Sequence, residues 1–504
     1  RGRWSYQPEF ALSCLGLTIG LSSFLKFPIL MAQNGGAAFL IPYVVMLVLV
    51  GVPLVFLNMC LGQYHNLPPN SLYQKLSAKA TGIGWMMVII CFAVSVYHGV
   101  VISWSMYYTY ASFSSTVPYG HCTHDYSTPA CYTNEHLASC RQDDLYYYNG
   151  TCQCIHHFCA IGNFSAYNET HCVSNIDDED IRSAEELTPG KAVARRIYAT
   201  EDFQRQKMLG WAEGSWSDIG GMQWDLVICL VITWASVALA LFMGAKSISK
   251  VMYLTVIFPY FALFCLFIRA IILPGAYDGF IYYITHVDIS KLSTIKAWFD
   301  AATHVFQTFG MSLGGFIILA SYNKYDNNCM IDAFVVNLIT AITSWLSGIV
   351  LFSMMGFLAY KLDLQVWQLI EPDSIALFVV APASLALMPS ANNWAILFYI
   401  MIICIAFNTQ IVYIETVSAA IRQTFSFSPS RFPVAVLLTC LLGVICGLPM
   451  CIRGGQLIFE VVSNYTGGMA VVLCFLHLIA TQYFYGRLLT KELATTLMGW
   501  LWLC

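Results

Sequence analysis

This chain of 504 residues is short of charge. Only 10% of it is Asp, Glu, Lys or Arg, 58% is hydrophobic, and the mean hydropathy is +0.65. A soluble domain carries about 25% charged residues, so this chain cannot cover a water-facing surface of its own size. Disordered and collagen-like readings fall for the same reason. The few charges nearly cancel, 24 basic against 28 acidic for a net of −4, which leaves no basic footprint for nucleic acid. Catalytic constellations are missing as well. No glycine-rich phosphate loop follows a strand and no paired zinc spacing occurs, so the chain does not read as an enzyme. Cys152-Gln-Cys154 with His156-His157 has metal-binding residue types, but in an oxidising lumen disulfides are the commoner use of such cysteines.

What is abundant is apolar sequence in long runs. A hydrocarbon core of roughly 30 Å needs about 20 apolar residues per helix. That ruler finds ten spans, at 10–32, 37–62, 83–112, 224–243, 250–273, 303–320, 331–359, 391–421, 433–450 and 454–484. Basic residues flank alternate ends: Arg1 and Arg3, Lys75 and Lys79, Lys246 and Lys250, Lys324, Arg422 and Arg431, Arg487 and Lys491. All fall on one side of the bilayer if the N-terminus is cytoplasmic. The opposite side receives the polar segment 113–223. It holds sequons at Asn149, Asn163 and Asn168 and seven of the 19 cysteines, both of which belong in the secretory lumen. Seven is odd, so at least one is free or paired elsewhere. The remaining cysteines lie in or beside apolar runs and act as small hydrophobes. The organisation expected is spans 1–3 within 1–112, a large extracellular loop at 113–223, spans 4–10 within 224–484, and a cytoplasmic segment 485–504, all in a multi-pass plasma-membrane protein. The start at Arg1, with no signal peptide, reads as trimmed. The closing aromatic run Gly499-Trp-Leu-Trp-Leu-Cys504 reads as the opening of a further span.

Ten spans divide into two sets of five that start on opposite sides, the arithmetic of an inverted repeat. Span 1 carries Gly16, Thr18, Gly20, Ser22 and Ser23, and span 6 carries Thr308, Gly310, Ser312, Gly314 and Gly315. Glycine lowers helix stability by about 1 kcal/mol against alanine, and small hydroxyls can satisfy freed backbone groups. Close packing through small residues would explain one such helix. Two at matching places predict that both helices break midway. Bare carbonyls then become ligands for Na⁺, and half-helix N-termini face an anionic group.

Ser22-Ser23-Phe-Leu-Lys26-Phe-Pro28 with Asn34-Gly-Gly-Ala-Ala-Phe-Leu-Ile-Pro-Tyr43, then Gly62-Gln63-Tyr64, Ala320-Ser-Tyr-Asn-Lys324 and Asn327-Asn328-Cys329, and Cys122-x3-Tyr126-Ser-Thr128-x2-Cys131, together resemble the neurotransmitter:sodium symporters. The resemblance runs through all ten spans. It implies an all-α polytopic fold of five plus five inverted helices with spans 1 and 6 discontinuous. It also implies alternating access and import of a small amino acid or related zwitterion with Na⁺, usually with Cl⁻. Cys122 and Cys131 are the disulfide it implies.

Residue by residue, the resemblance implies one sodium site at the carbonyls of Gly16, Ile19 and Ile405 with side-chain oxygens of Asn408 and Thr409. Asn408 stands where many animal members have aspartate. A second sodium set comprises Thr18, Ser23, Thr308 and Asn337, with Ser23 in place of an asparagine. The chloride set comprises Tyr64, His304, Thr308 and Asn337, with His304 in place of a glutamine and Ala341 in place of a serine. The substrate pocket falls on Gly20, Leu21, Ser22, Val94, His98, Gln307, Gly310, Leu313 and Tyr413. Gly20 replaces the aspartate that amine carriers use to pair an ammonium, which points to an amino acid instead. His98 replaces the tyrosine on span 3 that holds a carboxylate, and Gln307 replaces an aromatic lid. The gates fall on Arg3 and Trp4 inside and on Lys26 outside. Both gates lack their acid, Gln423 standing inside and Ser463-Asn464 outside. His98 and His304 lie at membrane depth, where ionisable residues are functional candidates, so a proton-linked variant stays open. So does a second reading, in which the departures mark a transporter-fold protein that serves as a binding or accessory subunit. The outer segment is the surface for a protein partner.

Overall fold

The computed structural model describes residues 4, 6–128, 131–141, 145–148, 151–161, 164–166, 172–174, 197–210, 220–242, 245–370, 376–425 and 432–485. Among these, eight unbroken helices are long and apolar enough to cross a membrane. They are α2 (Ala37–His65), α3 (Ala78–Ala111), α4 (Trp224–Leu241), α5 (Ile248–Ile271), α7 (Cys329–Leu362), α8 (Ala391–Thr424), α9 (Phe432–Cys451) and α10 (Gly455–Tyr483). Span 1 is a ninth, made of two pieces bent by 58°, α1a (Gln7–Thr18) and α1b (Ser22–Gln33). Span 6 is likewise split, into α6a (Ile295–Phe309) and α6b (Gly315–Ala320). It begins at Ile295, well before the 303 expected from hydropathy, because its first turns are polar.

Local sequence accounts for both interruptions. Helix α1a ends where Ile19 leaves helical geometry with ψ 69°, just before Gly20. Helix α6a ends on Gly310 at φ 52°, and α6b starts after Gly314 at φ 77°. That left-handed region is open to glycine and costly for other residues. Glycine serves a different end at Gly62 of α2. A Cβ there would lie 2.2 Å from the Ile317 carbonyl oxygen of α6b, so the two helices touch through bare backbone.

The core runs between spans 3 and 8. Tyr108 of α3 stacks on Tyr399 of α8 with ring centroids 4.9 Å apart, and its hydroxyl donates to the Phe378 carbonyl at 2.9 Å. Gln410 of α8 donates to the Ser95 carbonyl of α3 at 3.0 Å. Three short helices escaped the hydropathy ruler: Pro69–Leu76, Ala276–Thr285 and Leu377–Ala386. Each is too short to span a membrane.

The segment 113–223 adds three two-stranded sheets to the helical body: Cys131–Tyr132 with Ile197–Tyr198, Tyr146–Tyr148 with Thr151–Gln153, and Phe164–Ala166 with Cys172–Ser174. Disulfides join Cys122 to Cys131 and Cys140 to Cys152. Cys159 is disulfide-bonded as well, and Cys154 is an exposed thiol. The sequons at Asn149, Asn163 and Asn168, the gate residue Arg3 and residues 486–504 lie outside the described residues.

The α2–α6b contact yields a paired prediction. Gly62→Ala inserts a methyl against backbone that cannot yield and is expected to cost at least about 2 kcal/mol. Gly82→Ala, where a Cβ meets nothing within 4 Å, is expected to be neutral or stabilising. Thermal unfolding of the two purified variants in detergent checks the contrast.

Candidate functional site

The two interruptions face one another. Ser22 Oγ, at the start of α1b, lies 3.3 Å from Thr308 Oγ1, near the end of α6a. Leu17 of α1a presses on Gly315, where a Cβ would sit 2.9 Å from Leu17 Cδ2. Helix α8 closes one wall. Thr409 Oγ1 is 3.0 Å from the position a Gly20 Cβ would take, and Tyr413 Oη is 3.4 Å from that of Gly310. Leu313 lies against the same spot at 3.5 Å. Helix α3 supplies His98, whose ring centroid is 6.3 Å from that of Tyr413. Val94 is buried one turn earlier, and Leu21 is half-buried as the residue that opens α1b. Gly20, Ser22, His98, Gly310, Leu313 and Tyr413 thus meet at one place. His98 Nδ1 is buried there with no hydrogen-bond partner among the described residues.

Gln307 belongs instead to the closure at the α1b end of the site, called outer after the orientation that the basic residues predict, with the Trp4 end called inner. It accepts from Lys26 Nζ at 2.8 Å, and its Nε2 is 3.2 Å from where a Cβ on Gly467 of α10 would sit. Further out, Asn34 of α1b donates to Asp300 of α6a at 3.1 Å. Two polar rungs therefore hold α1b to α6a. The inner closure centres on Trp4. Its Nε1 donates to the Leu319 carbonyl at 3.1 Å, and its ring meets Tyr322 edge-on with centroids 5.8 Å apart. Tyr322 in turn donates to the buried Glu415.

The ion-ligand sets differ in what holds them. In the first, Thr409 Oγ1 donates to the carbonyls of Gly16 and Leu17, at 3.4 Å each, and Ile19 and Ile405 are buried. Asn408 is turned away. Its oxygen accepts from the Thr255 hydroxyl of α5, and its nitrogen donates to the Thr255 carbonyl at 3.1 Å. In the second set, Thr18 Oγ1 pairs with Thr340 Oγ1 at 2.7 Å and Ser23 donates to the Gly20 carbonyl at 2.9 Å. Asn337 donates to the Ala333 carbonyl at 2.7 Å, while its oxygen is buried with no partner among the described residues. A bare amide oxygen suits a cation.

The chloride set needs a correction. Tyr64 does not reach His304. It is 42% exposed near the inner end of α2, and its ring packs against His65 and Tyr325. The tyrosine beside His304 is Tyr43, with ring centroids 5.8 Å apart. Tyr43 Oη and His304 Nδ1 are both buried without a partner among the described residues. His304 Nε2 lies 3.2 Å from Thr308 Oγ1. The Nδ1–H tautomer therefore accepts from Thr308 at Nε2 and keeps one N–H to give an anion, next to the Tyr43 O–H. Tyr43 ends the Asn34–Tyr43 stretch and stands 21 residues before Tyr64 on the same helix. Asn58 was missed altogether. It donates to the Met311 carbonyl at 3.2 Å, inside the interruption of span 6.

Comparison with known proteins agrees with this geometry. A family model described as the sodium:neurotransmitter symporter family matches residues 1–160 and 145–501. The sodium- and chloride-dependent neutral and basic amino acid transporter B(0+) of Homo sapiens is 32% identical over 514 residues, 100% of this chain and 76% of that protein. The sodium- and chloride-dependent glycine transporter 2 of Xenopus laevis is 31% identical over 494 residues, 96% of this chain and 59% of that protein. The creatine transporter of Torpedo marmorata is 30% identical over 492 residues, 96% of this chain and 72% of that protein.

The inner closure can be tested through a native thiol. Cys14 of α1a is fully buried. Trp4→Ala removes the bond to Leu319 and the contact with Tyr322, so Cys14 is expected to react with a maleimide at least about ten times faster, about 1.4 kcal/mol in local opening. Labelling in a background where the other non-disulfide cysteines are serine reads the rate.

Proposed function

The chain belongs to the sodium:neurotransmitter symporter family, and we propose that it is a secondary active symporter importing a small amino acid or related zwitterion by alternating access driven by Na⁺. The observation that carries this reading is the pair of facing interruptions, bridged by Ser22 and Thr308 and walled by His98 and Tyr413. The start of α1b offers its positive end to a carboxylate, and the ends of α1a and α6a offer carbonyls to an ammonium or a cation. No carboxylate stands at Gly20 to pair a simple amine. The fold is multi-pass, and we place it in the plasma membrane with the N-terminus inside and segment 113–223 outside, where a protein partner has access. Each Na⁺ moving inward contributes about 2.3 kcal/mol per 100 mV of membrane potential. We also read the two halves as an inverted repeat.

For the ions, orphaned atoms carry more weight than sequence matches. Asn337 has an uncommitted oxygen, so Thr18, Ser23, Thr308 and Asn337 are the better sodium set. Asn408 has spent its oxygen on Thr255, so the set with Gly16, Ile19, Ile405 and Thr409 needs that side chain to turn before it is complete. Tyr43, His304 and Thr308 are the residues that would hold chloride. The accessory-subunit reading has one observation on its side. The outer closure joins the Lys26 ammonium to an uncharged amide, Gln307, and is not an ion pair.

Three measurements test this. In reconstituted vesicles, substrate-dependent uptake is expected to vanish when choline replaces Na⁺. Uptake indifferent to the exchange removes the coupling, and absence of uptake for all amino acids favours the accessory reading. Asn337→Ala is expected to weaken the half-saturating Na⁺ concentration about tenfold, or 1.4 kcal/mol, and Asn408→Ala by less. Tyr43→Phe is expected to reduce chloride stimulation, whereas Tyr64→Phe leaves it unchanged.

A further inference from the structure

The outer end of the central site holds a cation without an anion. Lys26 is half-buried on α1b, and its one hydrogen bond goes to the neutral Gln307 oxygen at 2.8 Å. An ammonium has three donors, so two remain. Among the described residues no carboxylate makes an ion pair with Lys26. The acids of the flanking helices α6a and α10 bond to other side chains. Asp300 accepts from Asn34 at 3.1 Å, and Glu460 of α10 accepts from Gln456 at 3.0 Å. Deeper in the site, the wall residues Ser22, His98, Leu313 and Tyr413 add no negative charge. Glu415, the buried acid of α8, is bonded to Tyr322 at the inner closure.

A zwitterion does not neutralise this arrangement. Its carboxylate is met by the start of α1b and its ammonium by the carbonyl ends of α1a and α6a, which leaves Lys26 over. We propose that the solute is an α-amino acid whose side chain ends in a carboxylate, and that Lys26 is the specificity-determining residue that binds this second carboxylate. The spacing fits. Lys26 is four residues beyond Ser22, about one turn or roughly 6 Å along α1b, within the reach of a short acidic side chain together with the lysine's own length from a carboxylate held at the start of that helix. Gln307 holds the ammonium in place without cancelling its charge. This inference rests on the transport reading above and narrows it.

Glutamate and glutamine have nearly the same shape and differ in charge, as do aspartate and asparagine, so the pairs isolate the effect. The full chain, purified in detergent with NaCl, is titrated with each of the four, and with glycine, leucine and lysine, while the melting temperature is followed. One acidic member is expected to stabilise at concentrations at least about tenfold below its amide. Lys26→Gln is expected to abolish that preference, and Lys26→Arg to retain it. Ligand-free melting temperatures of both variants show whether they fold. An amide binding as well as its acid in the natural chain overturns the proposal, as does an acid preference that survives in folded Lys26→Gln. Stabilisation by neutral solutes alone overturns it while leaving transport standing. No stabilisation by any amino acid overturns both.

Discussion

Breaking a helix inside a bilayer exposes backbone carbonyls where no bulk water can serve them, and an unsatisfied group there costs several kcal/mol. The rest of the structure follows from how that cost is met. Each interruption is served by side-chain donors from neighbouring helices. Thr409 of α8 reaches the Gly16 and Leu17 carbonyls, and Ser347 of α7 reaches the Phe24 carbonyl at 3.0 Å. In span 6, Asn58 of α2 takes the Met311 carbonyl, and Ser312 ties the interruption to the Ala470 carbonyl of α10 at 2.7 Å. Thr409, Asn58 and Ser312 stand where the two broken helices need partners, whereas others such as Ser103 and Ser353 bond back to their own helices.

The closures at the two ends are held by different chemistry. Inside, a chain of aromatic and carboxylic groups runs from Trp4 through Tyr322 to Glu415, so an acid is still present but is reached through a phenol. Outside, the latch is an amide, and its acid has no substitute among the described residues. An amide accepts a hydrogen bond as well as a carboxylate does but leaves the partner's charge uncancelled. The outer closure therefore keeps its geometry while the electrostatic potential at the site rises.

Much of this was legible in the sequence. Eight unbroken spans, the bent span 1 and both interruptions, all among the described residues, followed from hydropathy and from runs of Gly, Ser and Thr, because composition sets helix length and helix weakness. Depth and facing were not legible. Tyr43 and Tyr64 lie near opposite ends of α2, about 30 Å apart along its axis, and only Tyr43 lies at the level of His304. Asn408 matched a ligand position by letter, yet Thr255 offers both a hydroxyl and a carbonyl from α5 and takes both ends of the amide. Thr255 sits in a run that reads as uniformly apolar, so nothing local announced it. The short helix Ala276–Thr285 and the outer strands fall below any window sized to a membrane.

The polar atoms left over carry the last step. Tyr43 Oη, His304 Nδ1 and Asn337 Oδ1 are buried without partners among the described residues. A buried unsatisfied group of this kind costs about 1–3 kcal/mol. Tyr43 packs on His304, and Asn337 and Val305, the neighbour of His304, both flank Gly51. Three such atoms in one region between α2, α6a and α7 are an expensive arrangement, and their chemistry is divided: two can donate and one accepts. An anion relieves the donors and a cation relieves the acceptor. An anion there would join α2 to α6a and a cation would engage α7, so the two together would span all three helices. Binding free energy spent there shifts the balance between conformations only by its difference between them. A site assembled across the broken helix, and not within one rigid element, is what makes that difference large.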